Sequence, residues 1–264
     1  MSTPNPNVHS PNPNVSFWFG VGCLVRVVCN LRVGNSICIC ISMDHAFAIG
    51  IAREIVAEAL TESSVFGSVL RNSYRHNNGF HKLVMRELSD GTKVRMHLYP
   101  FPNFPIPKEH VHDHRWGFTS TVLSGKLRMD RFEYAVSGEE GVIDYDAYEY
   151  CADKNHHGDH QHPRFGLAKL GKVPLRFVRE CVFGPEEESV GYSMEPEELH
   201  RINASDTTTL TLMITQPPIG KKCHLFADPG QVHQLPTPET QRIVPYRPQE
   251  LRDILLQIKA LVGE

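Results

Sequence analysis

From Asp44 onward the chain changes twice between helical and extended hydrophobic patterns. Ile51, Ala52, Ile55, Val56 and Ala59 recur at three- and four-residue spacing, with Arg53, Glu54 and Glu58 on the other side. That pattern predicts an amphipathic helix with Asp44 as its N-cap, and a shorter helix follows over about 64–70. Residues 82–88 and 92–99 then alternate around the turn signal Ser89, Asp90, Gly91, which predicts a β-hairpin. A proline-rich link over 100–107 leads to a stretch in which Phe118, Val122 and Leu123 with Thr119 and Thr121 favour a strand, turning at Ser124 and Gly125 into another over 126–134. Between 137 and 171 the pattern breaks into acidic, tyrosine-rich and then histidine-rich sequence, read as a loop or insertion, and strand character resumes over 173–183. Pro248 opens a last helix with Leu251, Ile254, Leu255, Ile258 and Leu261 on one stripe. It is read as a packing helix, with a helix-mediated dimer contact as the sharper alternative. Strand after strand between two helical ends predicts an all-β barrel rather than βαβ units.

Residues 1–42 do not share this organisation. Pro4-Asn-Pro-Asn-Val8 recurs as Pro11-Asn-Pro-Asn-Val15, and a patchy apolar segment with Cys23, Cys29, Cys38 and Cys40 follows. The expectation is a disordered N-terminal extension, with Met43 as an alternative start, ahead of one domain over 43–264. Its barrel core would occupy about 80–226 and its C-terminal helix about 248–262. With 264 residues, 41% hydrophobic, the chain can bury one sizeable core.

A net charge of −3 gives no broad attraction to nucleic acid or an anionic membrane, so neither is expected as a partner. No apolar run reaches membrane-span length, since Phe17 to Val25 is broken by Arg26. Seven cysteines without a Cys-x-x-Cys spacing point to a reducing compartment, and a cytoplasmic location is expected. A small-molecule substrate is the default partner, with the protein a monomer or homodimer.

The chemistry concentrates at His110, His112 and His114. On an extended chain these imidazoles share one face and can converge on a metal ion from inside a barrel. A third ligand is expected near the C-terminus, where His200 follows Leu199 and precedes the strand-like run 207–215. A second metal site at the histidine-rich run 156–162 is the alternative to solvated loop histidines there.

The stretch 109–127 resembles the first motif of the cupin family: His-x-His, three or four residues, Glu, six residues, Gly. Counting back from Gly125 puts its histidines at His112 and His114, with a register shift to His110 as the alternative. The glutamate position falls on Phe118, so the resemblance implies a three-histidine site. Leu199-His-Arg-Ile-Asn203, then Gln216-Pro-Pro218 and Cys223-His-Leu-Phe226, are similar to the C-terminal half of cysteine dioxygenase. The implied fold is a cupin-type β-barrel, a double-stranded β-helix or jelly roll, flanked by N- and C-terminal helices. The implied site holds Fe(2+), or another divalent metal, on His112, His114 and His200. The implied reaction oxidises a small thiol or amino-acid-like substrate with O2, both oxygen atoms entering a sulfinate.

That resemblance also implies an arginine for the substrate carboxylate. Arg75, in Tyr74-Arg-His-Asn-Asn-Gly-Phe80, is the candidate, a solvated loop arginine being the other reading. Thr215 stands where the family has its active-site tyrosine, and Phe118 or Thr119 where animal members carry the crosslinked cysteine. Both partners of that crosslink are absent. Two further classes therefore stand beside the thiol dioxygenase: a cupin oxygenase or isomerase acting on a non-thiol metabolite, and a non-catalytic metal-binding cupin module.

Overall fold

The computed structural model describes residues 43–263 except 77, 100–108, 153–164, 204–206, 220–221 and 232–244. Ahead of residue 43 it describes two short strand pairs, β1 (Trp18–Phe19) with β2 (Cys23–Leu24) and β3 (Arg32–Val33) with β4 (Ser36–Ile37). The expectation of disorder over the rest of 1–42, and the question of a second metal site at 156–162, lie outside the described residues.

Helix α1 (His45–Thr61) starts where the Asp44 carboxylate accepts a hydrogen bond from the Phe47 backbone N–H at 3.0 Å, filling one of the open donors of the first turn. Helix α2 (Ser63–Asn72) follows, and α3 (Pro248–Val262) begins with the proline that its first turn tolerates. Arg53 on α1 donates from Nε to the Val262 carbonyl at 2.8 Å, tying the end of α3 to α1.

The helices bury their apolar stripes against a six-stranded antiparallel sheet. Its order is β13 (Gly191–Met194), β9 (Phe118–Ser124), β15 (Thr209–Thr215), β7 (Lys93–Tyr99), β6 (His81–Glu87) and β5 (Tyr74–Arg75). Leu83, Met85, Met96, Leu98, Leu123, Leu210 and Leu212 form one core with Ala52, Val56, Leu251, Leu255 and Ile258. By the period of two, the other face of the same strands turns Lys82, Arg95, His97, Tyr99, Thr211 and Met213 away from the helices.

The second set of strands closes on itself in the order β10 (Leu127–Tyr134), β12 (Phe165–Phe183), β11 (Val142–Ala152), β16 (His224–Ala227), β8 (Val111–His112) and β14 (Leu199–Asn203). Together the two antiparallel systems with their flanking helices make an all-β, cupin-type jelly roll. Gly125 makes the turn between β9 and β10 at φ +77°, and a Cβ there would stand 2.3 Å from the Thr208 carbonyl oxygen. Only glycine fits.

The segment expected as a loop over 137–171 is instead largely a long antiparallel pair, β11 with β12. One single-residue bulge hides it in the sequence, and a second lies further along β12 in the ladder with β10. Leu170 has no partner between the pairs Ala147 with Gly171 and Tyr148 with Lys169, and Val178 has none in the β10 ladder between Arg131 with Arg179 and Phe132 with Phe177. Each bulge shifts the alternation by one residue, so a continuous period of two is absent.

Candidate metal centre

His112 and His200 are directly opposed across the antiparallel pair of β8 with β14, and His112 also faces Leu225 on β16. β8 is only two residues long, and His114 reaches the same point from the segment that follows it. The rings of His112, His114 and His200 lie with centroids 4.5 to 5.1 Å apart. One ligand nitrogen from each comes within 4.8 Å of the others.

The hydrogen bonds leave lone pairs for a metal. His112 Nδ1 lies 3.0 Å from the His110 carbonyl oxygen, and His200 Nδ1 lies 3.2 Å from that of Glu198. A carbonyl only accepts, so each Nδ1 carries a proton, and in the neutral ring each Nε2 then carries the lone pair. Burial pushes the pKa of His114 and of His200 well below the ordinary histidine value, with repulsion from His112 adding to it. Neutral imidazoles held this way suit a divalent cation. His110 is buried but outside the converging group; it contributes its carbonyl.

Asp113, between two of the histidines, is buried rather than at the barrel rim. Its carboxylate accepts from the His224 backbone N–H at 2.6 Å and stands 2.7 Å from His224 Nδ1, fastening the histidine segment to β16. Glu109 also points inward to structure, accepting hydrogen bonds from Asn78 Nδ2 and the Ile202 backbone N–H. Phe118, at the glutamate position of the cupin motif, sets its ring edge against His114 at 5.2 Å and tilts towards His200 at 6.2 Å.

Behind the triad, the inward face of the six-stranded sheet is polar. Across it Tyr74 pairs with Lys82, Lys82 with His97 and His97 with Thr211; in the next row Val84 pairs with Arg95 and Arg95 with Met213. Arg95 places its guanidinium 5.2 Å from the Trp116 ring, and Trp116 stacks on His114 at 5.4 Å. Arg95 and His97 are 9% and 6% exposed, yet Arg95 Nε and His97 Nε2 have no hydrogen-bond partner. Burial, then the charges of Lys82 and Arg95, hold His97 well below the ordinary histidine pKa. His76, stacked on Phe80 at 4.5 Å, is lowered by burial and then Lys82.

A pocket of about 350 Å³ opens beside His114, lined by Glu195, Pro196, Glu197, Ile219 and Lys222. Glu197 there takes a left-handed backbone conformation, φ 70°, with its N–H donating to the His114 carbonyl at 3.3 Å.

The structure thus brings His112, His114 and His200 together, and leaves the other two candidates elsewhere. Arg75 is half-exposed on the edge strand β5, 3.9 Å from Glu250. Thr215 is buried, with its hydroxyl donating to the Lys93 carbonyl at 3.5 Å and Phe118 as its partner across the strands. Lys82, Arg95 and His97 were missed by the sequence reading. The signal was present in Lys93–Tyr99, where charged or polar side chains at 93, 95 and 97 alternate with Val94, Met96 and Leu98.

No protein-family model and no curated protein matches the chain. Among solved structures it is similar to a double-stranded β-helix protein of Klebsiella pneumoniae, at 13% identity over 61% of this chain and 94% of that one, with a TM-score of 0.27. Hydroquinone 1,2-dioxygenase PnpCD, solved with Cd2+ and 4-hydroxybenzonitrile, gives 17% identity over 75% and 89% of the two chains, with a TM-score of 0.24. L-ribose isomerase of Cellulomonas parahominis, solved with L-ribose, gives 11% identity over 73% and 90%, with a TM-score of 0.27. Likenesses at this level carry no argument about chemistry, and the architecture stated above stands on the chain's own strand pairing. Among the described residues no helix is long and apolar enough to cross a membrane.

Proposed function

We propose that this chain is a mononuclear non-haem iron dioxygenase, resembling cysteine dioxygenase, that oxidises a small thiol carrying an anionic group. The observation that carries this is three converging histidines beside the buried guanidinium of Arg95, which makes no ion pair among the described residues, with half-buried Lys82 as its diagonal neighbour. Iron(II) bound by His112, His114 and His200 would supply open positions for a thiolate and for dioxygen and the electron transfer that joins them. A thiol and one O2 sum to a sulfinic acid, so no further reductant is needed.

The chain's own residues divide the remaining work. The carbonyls of His110 and Glu198 hold two of the ligand rings in the tautomer that keeps Nε2 free. Phe118 and Trp116 cover His114 on two sides and limit water there. Arg95, rather than Arg75, has the burial and position to receive a substrate carboxylate, because its guanidinium stands one indole ring away from His114.

A second reading, oxygenation of a non-thiol metabolite, is favoured by one observation. Thr215, at the position of the family's tyrosine, offers its hydroxyl to the Lys93 carbonyl instead of to the triad. The test is dioxygen uptake by the iron-loaded protein with a panel of small thiols, including cysteine, and their hydroxyl counterparts. Thiol-dependent uptake that yields a sulfinate supports the first reading. Uptake with non-thiols alone replaces it with the second.

A further inference from the structure

Two positive charges, not one, lie on the inward sheet face beside the triad. Lys82 and Arg95 lie on adjacent rows of the same sheet face, Lys82 opposite His97 and Arg95 opposite Val84, which makes them diagonal neighbours. Diagonal neighbours across antiparallel strands stand roughly 7–8 Å apart at their backbones and are within reach of long side chains. Among the described residues neither forms an ion pair. Lys82 Nζ lies 5.6 Å from the Tyr74 ring, with the Tyr74 side chain as its hydrogen-bond partner, and Arg95 lies against Trp116. His97, the cross-strand partner of Lys82, adds a second buried nitrogen without a partner next to the unpartnered Arg95 Nε.

The Arg95 guanidinium is buried without an ion pair among the described residues, which costs free energy in the empty protein, and half-buried Lys82 adds a second positive charge beside it. Burial lowers Lys82, the Tyr74 side chain offsets part of that, and Arg95 lowers it further; burial and then both cations lower His97. A single carboxylate neutralises only half of this charge. The neutral His97 ring adds neither charge, but it can donate or accept one hydrogen bond to a polyoxygen head.

We propose that the sheet face carrying Lys82, Arg95 and His97 receives a substrate head with two negative charges, such as a dicarboxylate or a phosphate-like group. This inference rests on the reading of that face as the substrate site and extends it from one anionic group to two. Arg95 supplies a planar fork for paired oxygens, Lys82 a point charge from the neighbouring strand, and His97 a hydrogen bond between them.

The test is calorimetric titration of the metal-free, full-length protein at about pH 8 with succinate, ethyl phosphate and propionate. Ethyl phosphate is doubly ionised there, since such second pKa values lie near about 6. At least one of the two dianions is expected to bind ten-fold or more tightly than propionate, and Lys82→Met is expected to abolish that preference. Replacing a half-buried cation by an apolar chain of similar length removes the charge while keeping the bulk, so Lys82→Met tests recognition rather than stability. Arg95→Lys restores more of the dianion affinity than Arg95→Met. Equal affinity for propionate and both dianions, absence of dianion binding, or a preference that survives Lys82→Met overturns the proposal. Because no metal is present, failure here is separate from failure of the oxygenase reading, which dioxygen uptake decides.

Discussion

His112 and His200 face each other across a single antiparallel pair, and each donates its Nδ1 proton to the carbonyl two residues before it. Main-chain pairing therefore sets the spacing of two of the three candidate ligands, and main-chain carbonyls set their tautomers. His200→Ala is expected to abolish stoichiometric metal binding while the chain still folds, as followed by metal analysis beside circular dichroism. Loss of fold with loss of metal would move His200 from ligand to structural residue.

Asp113 fastens the segment between His112 and His114 to β16 through both the backbone and the ring of His224. Asp113→Ala leaves the His224 N–H without its acceptor and frees His114 to move. Metal affinity is expected to fall roughly 10- to 100-fold, the usual effect of removing a group that orients ligands. A competition titration against a coloured chelator measures it, and unchanged affinity would show that the clamp does not orient the site.

The acid limb of stability follows from four histidine rings, His97 and His200 buried and His76 and His114 half-buried. His76, His97, His114 and His200 all have folded-state pKa values pushed below the ordinary histidine value, chiefly by burial. The unfolded chain takes up protons near pH 6.5 that the folded chain refuses, so stability is full above that pH and falls as pH drops below it. Each ring's slope grows as pH falls through 6.5 and has an upper limit of about 1.4 kcal/mol per pH unit, reached only where the unfolded ring is fully protonated and the folded ring is not. Urea unfolding of the metal-free protein between pH 7.5 and 5.5 is expected to show the decline, which His97→Phe should lessen. Stability that is flat or rises on acidification would contradict the assigned burial.

The helix-facing core is separate from the inward sheet face. Leu255 is fully buried among α1 and sheet residues, and Leu255→Ala is expected to cost about 2–5 kcal/mol. Denaturant unfolding measures that loss, and one metal per chain should survive at low denaturant. A metal site that disappears with this substitution would mean the two cores are not independent.

How much of this could be read from residues alone differs by element. His112, His114 and His200 were legible because the spacing of two histidines and the Gly125 turn are local, and the helices because Asp44, Pro248 and their apolar stripes are local too. Lys82, Arg95 and His97 were not, because β6 and β7 bury both faces: Met96 and Leu98 go to the helices while Arg95 and His97 go to the inward face, so polarity alone does not say which face is which. Arg75 was chosen for its neighbourhood in the chain, but the turn at Gly79 sends β5 to the sheet edge, where Arg75 meets Glu250. The β11 and β12 pair is hidden because the unpaired Leu170 breaks the period of two within 137–171.

The most direct test of a three-histidine centre is anaerobic titration of the apo-protein with Fe(II), with metal content measured after desalting, for wild type, His110→Ala, His112→Ala, His114→Ala and His200→Ala. One metal per chain is predicted for wild type and for His110→Ala, and none for the other three variants. Full occupancy in His112→Ala, His114→Ala or His200→Ala, or loss of metal in a folded His110→Ala, would contradict the assignment.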